Sequence, residues 1–330
     1  MRNGRNLERV CIPDKIENLF ISMHVSAEQN VIRSFSELRR RAACVGPRRL
    51  AVVVADDDVA LTAAADSLAL EIALPILIGN AQKIRAKAET LGLSDLLARC
   101  QCVHSDDPAG LATRMARNGE VDVLLKGHLR TDELLKPVLD KQAGLRTGTL
   151  LSDVLLYEDV SAGQRLVAIT DGGLNVAPTL DQKKQIVSNA ITVCRCLGIG
   201  RPKIAIMSAT EVVTESLPST QDAQALTEMG AAGEFGDALV FGPLALDNAL
   251  LESAARAKGI SHPVAGHADC MVVPNIEAGN LLGKAAKYLG GSQCAHVVVG
   301  AKVPILIPSR VESVDDKVNS VALGVIYAAR

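Results

Sequence analysis

The 330-residue sequence predicts an α/β protein rich in parallel sheet, and three observations carry that prediction. Short apolar runs of strand length alternate with helix-length segments from residue 50 onward, the sequence form of βαβ units. Hydrophobic residues make up 48% of the chain while aromatics make up 2% and Trp is absent. The interior is therefore filled by Ala, Val, Leu and Ile, as in buried parallel sheets and their covering helices. The length exceeds one ordinary core, so two packed domains are expected.

Taken in order, residues 1–45 read as an amphipathic helical segment, with Phe20, Val31, Ile32, Phe35 and Leu38 apolar and Arg39-Arg40-Arg41 a solvated helix end. Strand 50–54, helix 59–72, strand 75–78, helix 81–91, strand 100–103, helix 108–117 and strand 121–125 follow. Helix 131–140 leads into Ala143-Gly144-Leu145-Arg146-Thr147-Gly148, a Gly-punctuated loop taken as the first domain crossing. No element is assigned between 149 and 165. The alternation resumes with strand 166–170, helix 180–197, strand 203–207, helix 220–229, strand 238–241 and helix 246–257. Strand 269–273, helix 276–289, strands 295–299 and 303–307 and a helix from Ser313 complete the chain. The expected domains are 1–145 with 295–330, and 146–294.

A net charge of −2, without basic residues interleaved with aromatics, argues against a nucleic-acid partner. No apolar run reaches membrane-spanning length and no signal-type segment follows the basic N-terminus, so a cytoplasmic protein is expected. The eight cysteines read as small hydrophobes. The close pairs Cys100/Cys102 and Cys194/Cys196 are too tightly spaced for zinc, and His267 with Asp269 finds no further ligand, so no metal site is expected. There is no GxGxxG or GxxxxGK[ST] motif.

Ligands of open parallel sheets bind where strands run into loops, and several polar clusters sit there. They are Lys126-Gly127-His128 with Arg130 and Thr131; Asp171, Gly172, Gly173 and Asn175; Ser208, Thr210 and Glu211; Asp247; and Ser309-Arg310. The last is the richest, because a hydroxyl and a guanidinium leave a strand just before a helix N-terminus that attracts anions. Ser313 with Asp316 three residues on is also a helix-capping pattern, and spacing alone does not separate the two readings.

Together these segments resemble the phosphate acetyl/butyryltransferase family from about residue 45 to the C-terminus. The resemblance runs in order through LLKGHLRTDELLKPVL, GLRTGTLLSDVLLYE, ITDGGLNVAPTLDQKKQIVSNA, PKIAIMSATEVV, PSTQDAQALTEM, GPLALDNAL, VAGHADCMVVPNIEAGNLLGKAAKYL and VVVGAKVPILIPSR. It implies reversible transfer of a short acyl group between coenzyme A and inorganic phosphate. It further implies a two-domain isocitrate/isopropylmalate-dehydrogenase-like fold with an interdomain active-site cleft, no bound cofactor or metal, coenzyme A as substrate, and a homodimer or larger assembly. Carried over by position, Ser309 hydrogen bonds the reacting carbonyl, Arg310 binds phosphate, Asp316 deprotonates the CoA thiol, and Arg146 and Thr147 lie near the phosphate. Lys126, Asp171, Asn175, Asp247, Glu277, Asn280 and Lys284 are candidates for the CoA-binding cleft.

A hydroxyl donor at Ser309 suits the oxyanion of a tetrahedral intermediate. The base is harder: an Asp near pKa ~4 and a thiol near ~8.5 differ by roughly 6 kcal/mol for full proton transfer. Either burial raises Asp316 or transfer is concerted with attack. The chain departs from the family pattern at Val311-Glu312-Ser313, where Ala-Asp-Ser is common, at Gly172-Gly173, usually Ala-rich, and at Ala232-Gly233-Glu234, usually Arg-Gly-Gln. Asp315 is an alternative base if the helix starts one residue differently. Two rival readings are a non-catalytic acyl-CoA or phosphate-binding regulator and a metal-dependent decarboxylating dehydrogenase of similar fold.

Overall fold

A computed structural model describes residues 31–159, 165–309 and 311–330. Phe20 and most of the expected N-terminal helix lie outside the described residues, as does Arg310. Of that helix the described part is α1 (Phe35–Val45), capped by the Ser34 hydroxyl accepting from the Glu37 N–H and buried through Phe35, Leu38 and Ala42. The Arg39 side chain is not simply solvated: it donates to Asn319 Oδ1 at 2.7 Å and to Asp315 Oδ1 at 2.8 Å, tying this helix to the C-terminal one.

Among the described residues one eleven-stranded sheet runs in the order β3-β2-β1-β4-β11-β10-β5-β6-β9-β7-β8. On one flank are β1 (Arg48–Val53), β2 (Ala73–Gly79), β3 (Gln101–His104), β4 (Val123–Lys126) and β11 (Ile305–Leu306), all parallel. On the other are β6 (Arg165–Thr170), β7 (Lys203–Met207), β8 (Leu239–Leu244) and β9 (Cys270–Val272), also parallel. Two antiparallel strands join them, β5 (Ser152–Asp159) and β10 (Cys294–Val299), so the flanks point in opposite directions. The fold is therefore mixed α/β with one large, mostly parallel sheet.

β5 is the strand absent from the sequence reading. Its burial on both faces removes the period-2 alternation that marks a half-buried strand. The strand expected at 303–307 is only two residues long, because Pro304 has no N–H for a ladder and supplies only its carbonyl to the Leu124 N–H. The expected helix 246–257 is two short helices, Leu246–Leu250 and Glu252–Ala257, and an unforeseen one spans Ser94–Arg99.

The covering helices sort the apolar residues into three clusters. One face of the whole sheet packs against α1, α2 (Asp58–Ala69), α7 (Leu180–Cys196) and the C-terminal helix α12 (Val314–Ala328), forming one core that includes Leu50, Val154, Val297 and Val321. The opposite face is divided. Ala51, Val53 and Leu124 pack with α5 (Pro108–Arg117) and α6 (Thr131–Val138), while Val167, Ile169 and Met271 pack with Leu244, Ala249 and Ala278, the last on α11 (Ile276–Lys284). α11 runs on into a π-helical turn, Ala285–Leu289. The described cysteines are free thiols.

Candidate active site

A cavity of about 280 Å³ opens where the divided face changes from one cluster to the next. Its floor is set by strand parity. Leu155 of β5 pairs with His296 of β10 on one side and Ile169 of β6 on the other, so the three side chains form a row across the sheet. Asp153, two residues before Leu155, projects from the same face. Gly279, Asn280, Gly283, Lys284 and Lys287 of α11 and its π-helical turn form one wall; Ile307, Ser309 and Glu312, from the loop between β11 and α12, form the other.

The floor carries charge. His296 Nδ1 lies 3.4 Å from Asp153 and its Nε2 lies 3.4 Å from Glu312 Oε1. Asp153 and Glu312 are only 3% and 5% exposed. Burial alone would lower the imidazole, but the charges and hydrogen bonds of Asp153 and Glu312 outweigh it and hold His296 up at about 10. For Glu312, burial is likewise outweighed, by His296 and the Ser309 N–H, and its carboxyl lies below the usual range.

The Ser309 loop is held at several points. Its N–H donates to Glu312 Oε1 at 3.0 Å, and its carbonyl accepts from the Glu312 N–H at 3.2 Å and from Lys317 Nζ at 3.3 Å. Lys317 is itself buried, and burial lowers it below the ordinary lysine value. An ammonium removed from water in this way fixes the backbone beneath the serine.

Asp316 is different in kind. Ser313 and Asp316 make the capping box expected from their spacing. Its Oδ2 also accepts from Ser313 Oγ at 2.6 Å and pairs with Lys287, and its Oδ1 accepts from the Cys294 N–H at 2.8 Å. The last bond follows from the shortness of β11, which leaves the first half of β10 without a partner strand on that edge. α12 takes over: Asp316 accepts from Cys294, and Ser320 Oγ from the His296 N–H at 2.9 Å. Burial would raise Asp316, but Lys287, Ser313 and the Cys294 N–H more than offset it and the carboxyl is lowered. Of the two routes the sequence left open, a base raised by burial and transfer concerted with attack, the first does not match this lowered carboxyl. Asp315 points elsewhere, to Arg39.

Other expected residues separate into groups. Asn280 and Lys284 line the cavity. Lys126, with Arg130 and Thr131, lines an adjoining depression of about 500 Å³ that shares Thr131, Ile307 and Ser309 with it. Asp171 and Asn175 are scaffold: Asp171 accepts from the Gly173 and Leu174 N–H groups at 2.8 and 2.9 Å, and Asn175 Nδ2 donates to the Leu151 carbonyl. Burial and the Asp153 charge raise Asp171, against those hydrogen bonds. Arg146 and Thr147 line a different depression with Lys302, which shares no residue with the Ser309 cavity; Thr147 Oγ1 donates to the Gly300 carbonyl. Asp247 pairs with Lys258, and Glu277 is exposed in the first turn of α11. Neither is among the cavity residues. Among the described residues no group of three or more His, Cys, Asp or Glu could hold a metal.

The family model described as phosphate acetyl/butaryl transferase matches residues 97–325, spanning the cavity wall, its floor and α12. The chain belongs to this family. A phosphate acetyltransferase of Rhizobium meliloti is 41% identical over 83% of this chain and 87% of its own length. A phosphate butyryltransferase of Clostridium beijerinckii is 37% identical over 90% of this chain and 99% of its own. Among solved structures, a branched-chain phosphotransacylase from Enterococcus faecalis V583 superposes with a TM-score of 0.76 at 29% identity, covering 85% of this chain and 99% of that one.

Within this phosphate acetyl/butyryltransferase chain, the floor residues Asp153 and His296 and the wall residues Glu312 and Lys287 are those the sequence reading left without a role. One signal was present. A lone histidine in the apolar strand CAHVVV needs a buried partner, and one of its partners, Asp153, lies 143 residues away.

Proposed function

We propose that this chain catalyses reversible transfer of an acetyl or butyryl group between coenzyme A and inorganic phosphate, by direct attack on the acyl carbonyl. The observation that carries the reading is Ser309 at the junction of two spaces, one whose floor sets Leu155 and Ile169 beside the charged Asp153 and His296, the other lined by Lys126 and by Arg130 with its partner Asp132. A short acyl chain fits the first and the anionic phosphate the second, leaving the carbonyl beside a hydroxyl donor suited to the developing oxyanion. Arg310, adjacent in sequence, and the exposed Lys284 supply further positive charge to phosphate and CoA. The division of the sheet's face beneath this site is consistent with the cleft of an isocitrate/isopropylmalate-dehydrogenase-like fold.

The test is release of free thiol from acetyl-CoA and butyryl-CoA with and without phosphate. Phosphate-dependent release from at least one thioester is expected, and none across a short acyl series sinks the reading. The chemistry asks only for hydrogen-bond donors and fixed charge, so we expect the rate to be unchanged in excess chelator; loss of activity restored by a divalent metal would contradict this. The apolar side chains Leu281, Tyr288 and Leu289, exposed along α11 and its π-helical turn, support assembly as a homodimer or larger, which sedimentation would test.

A further inference from the structure

We infer that Leu155 sets the length of the acyl group, and that its seat against Gly283 leaves a pocket for a four-carbon acyl group in preference to acetyl. The inference rests on the acyl-transfer reading above and names the acyl class within it.

The first ground is which parts of the floor a substrate can touch. Asp153, Ile169 and Glu312 are only 3%, 1% and 5% exposed, whereas His296 and Leu155 are half-buried and line the cavity. These two are directly opposite each other on neighbouring strands, about 5 Å apart. His296 reaches Glu312 of the Ser309 loop at 3.4 Å, so it marks the carbonyl end of the floor. Leu155 stands one strand farther from β11 and the loop that follows it. A tail leaving a carbonyl held at Ser309 therefore crosses His296 first and Leu155 next. The polar end of the floor lies under the reacting group, and the apolar end lies under the tail.

The second ground is the wall above Leu155. Gly279 and Gly283 are four residues apart and so share one face of α11, which presents bare backbone on that side. A Cβ on Gly283 would stand 2.9 Å from Leu155 Cδ1, and its other neighbours within 4 Å are atoms of the same leucine. The missing methyl at 283 is thus what lets the Leu155 side chain lie back against the helix instead of over the cavity. The space left is about 280 Å³, room for about nine waters at about 30 Å³ each. An acetyl methyl ends over His296 and leaves the surface of Leu155 without contacts, while the further methylenes of a butyryl group lie on it.

The experiment ranks kcat/KM for acetyl-, propionyl-, butyryl- and hexanoyl-CoA with phosphate, read as phosphate-dependent thiol release, in the wild type, Leu155→Ala and Gly283→Ala. The ratio between two thioesters on one enzyme does not depend on how much of that enzyme is folded, so a loss of stability does not mimic the result. The wild type is expected to favour butyryl-CoA over acetyl-CoA by about tenfold or more. Leu155→Ala lengthens the pocket and should raise the hexanoyl-to-butyryl ratio about tenfold. Gly283→Ala turns the Leu155 side chain into the cavity and should shift the ranking the opposite way, raising the acetyl-to-butyryl ratio about tenfold. Wild-type ratios in either variant overturn the assignment, as does a wild type that uses acetyl-CoA at least as well as butyryl-CoA. If neither variant folds, the wild-type ratio still decides. Absence of wild-type turnover with every thioester, by contrast, removes the acyl-transfer reading itself.

Discussion

At the scale of single residues, a carboxylate is a base only to the extent that its lone pairs are unclaimed, and Asp153, Glu312 and Asp316 differ in this respect within one small volume. Asp316 spends its oxygens on a helix cap, an ammonium and a strand-edge N–H. Asp316→Asn is therefore expected to cost about 2–4 kcal/mol of stability, combining a weakened cap with a Lys287 left unpaired, and the urea midpoint measures it. A midpoint equal to wild type would show that these bonds contribute nothing net. His296 gives a pH prediction with a defined sign. Its folded value is raised to about 10 from the ordinary ~6.5, so its stabilisation is complete below about pH 6.5 and is lost as pH rises towards 10. The lowered carboxyls of Glu312 and Asp316 act the opposite way, stabilising above the usual carboxylate range and losing that contribution as pH falls through it. Unfolding free energy should therefore decline by up to about 1.4 kcal/mol per pH unit between neutrality and pH 10, and His296→Gln should flatten that limb. The sequence announced the cap at Ser313 and Asp316 because its partners are three residues apart. It concealed the Asp153–His296–Glu312 group because 143 residues separate the first two, and only the sheet register brings them together.

At the scale of elements, the approach of α11 to the loop after β6 sets the cavity wall, and glycines permit it. A Cβ on Gly279 would lie 2.7 Å from the Gly172 Cα and 2.9 Å from the Asp171 carbonyl oxygen, and one on Gly172 would meet the Gly279 carbonyl carbon at 2.7 Å. Gly173 has a separate reason: its Cβ would fall 2.5 Å from Asp153 Oδ2. Glycine is thus suited to both positions, since this chain needs bare backbone against α11 and beside the Asp153 carboxylate. Gly279→Ala is expected to push α11 away at a cost of about 1–3 kcal/mol and to raise KM for CoA, read from thermal unfolding and saturation kinetics. Unchanged KM and Tm would mean that the helix and loop yield without strain. Most elements were legible because strand-length apolar runs alternate with helix-length segments, and several helices also start on local caps such as Asp107 before Pro108 or Thr179 with Gln182. β5 was not, because a strand buried on both faces in the middle of a sheet carries no alternation and is recognised only through its partners.

At the scale of the molecule, the alternation of strands and helices made the α/β class legible, but the way the two parallel flanks are joined was not. β5 and β10 pair without interruption from Ser152 opposite Val299 to Tyr157 opposite Cys294, although the boundaries expected from sequence, at 145/146 and 294/295, would assign most of these two strands to different domains. Beneath that ladder lies a core shared by both flanks, in which Val52 of β1, Val154 of β5, Ile204 of β7 and Val321 of α12 belong to one apolar cluster. Exposing one half while the other stays folded would open this shared core and leave ladder N–H and C=O groups of the central strands without partners. The described body from Ile32 to Arg330 is therefore expected to unfold in one cooperative transition. Far-ultraviolet dichroism and hydrogen exchange along β5, β10 and α12 should then give coincident midpoints in urea. Two resolved transitions, with amides of β1 to β4 exposed at a different urea concentration from those of β6 to β9, would show that the opposite, divided face governs stability instead, and that the cavity lies on a line along which the protein comes apart.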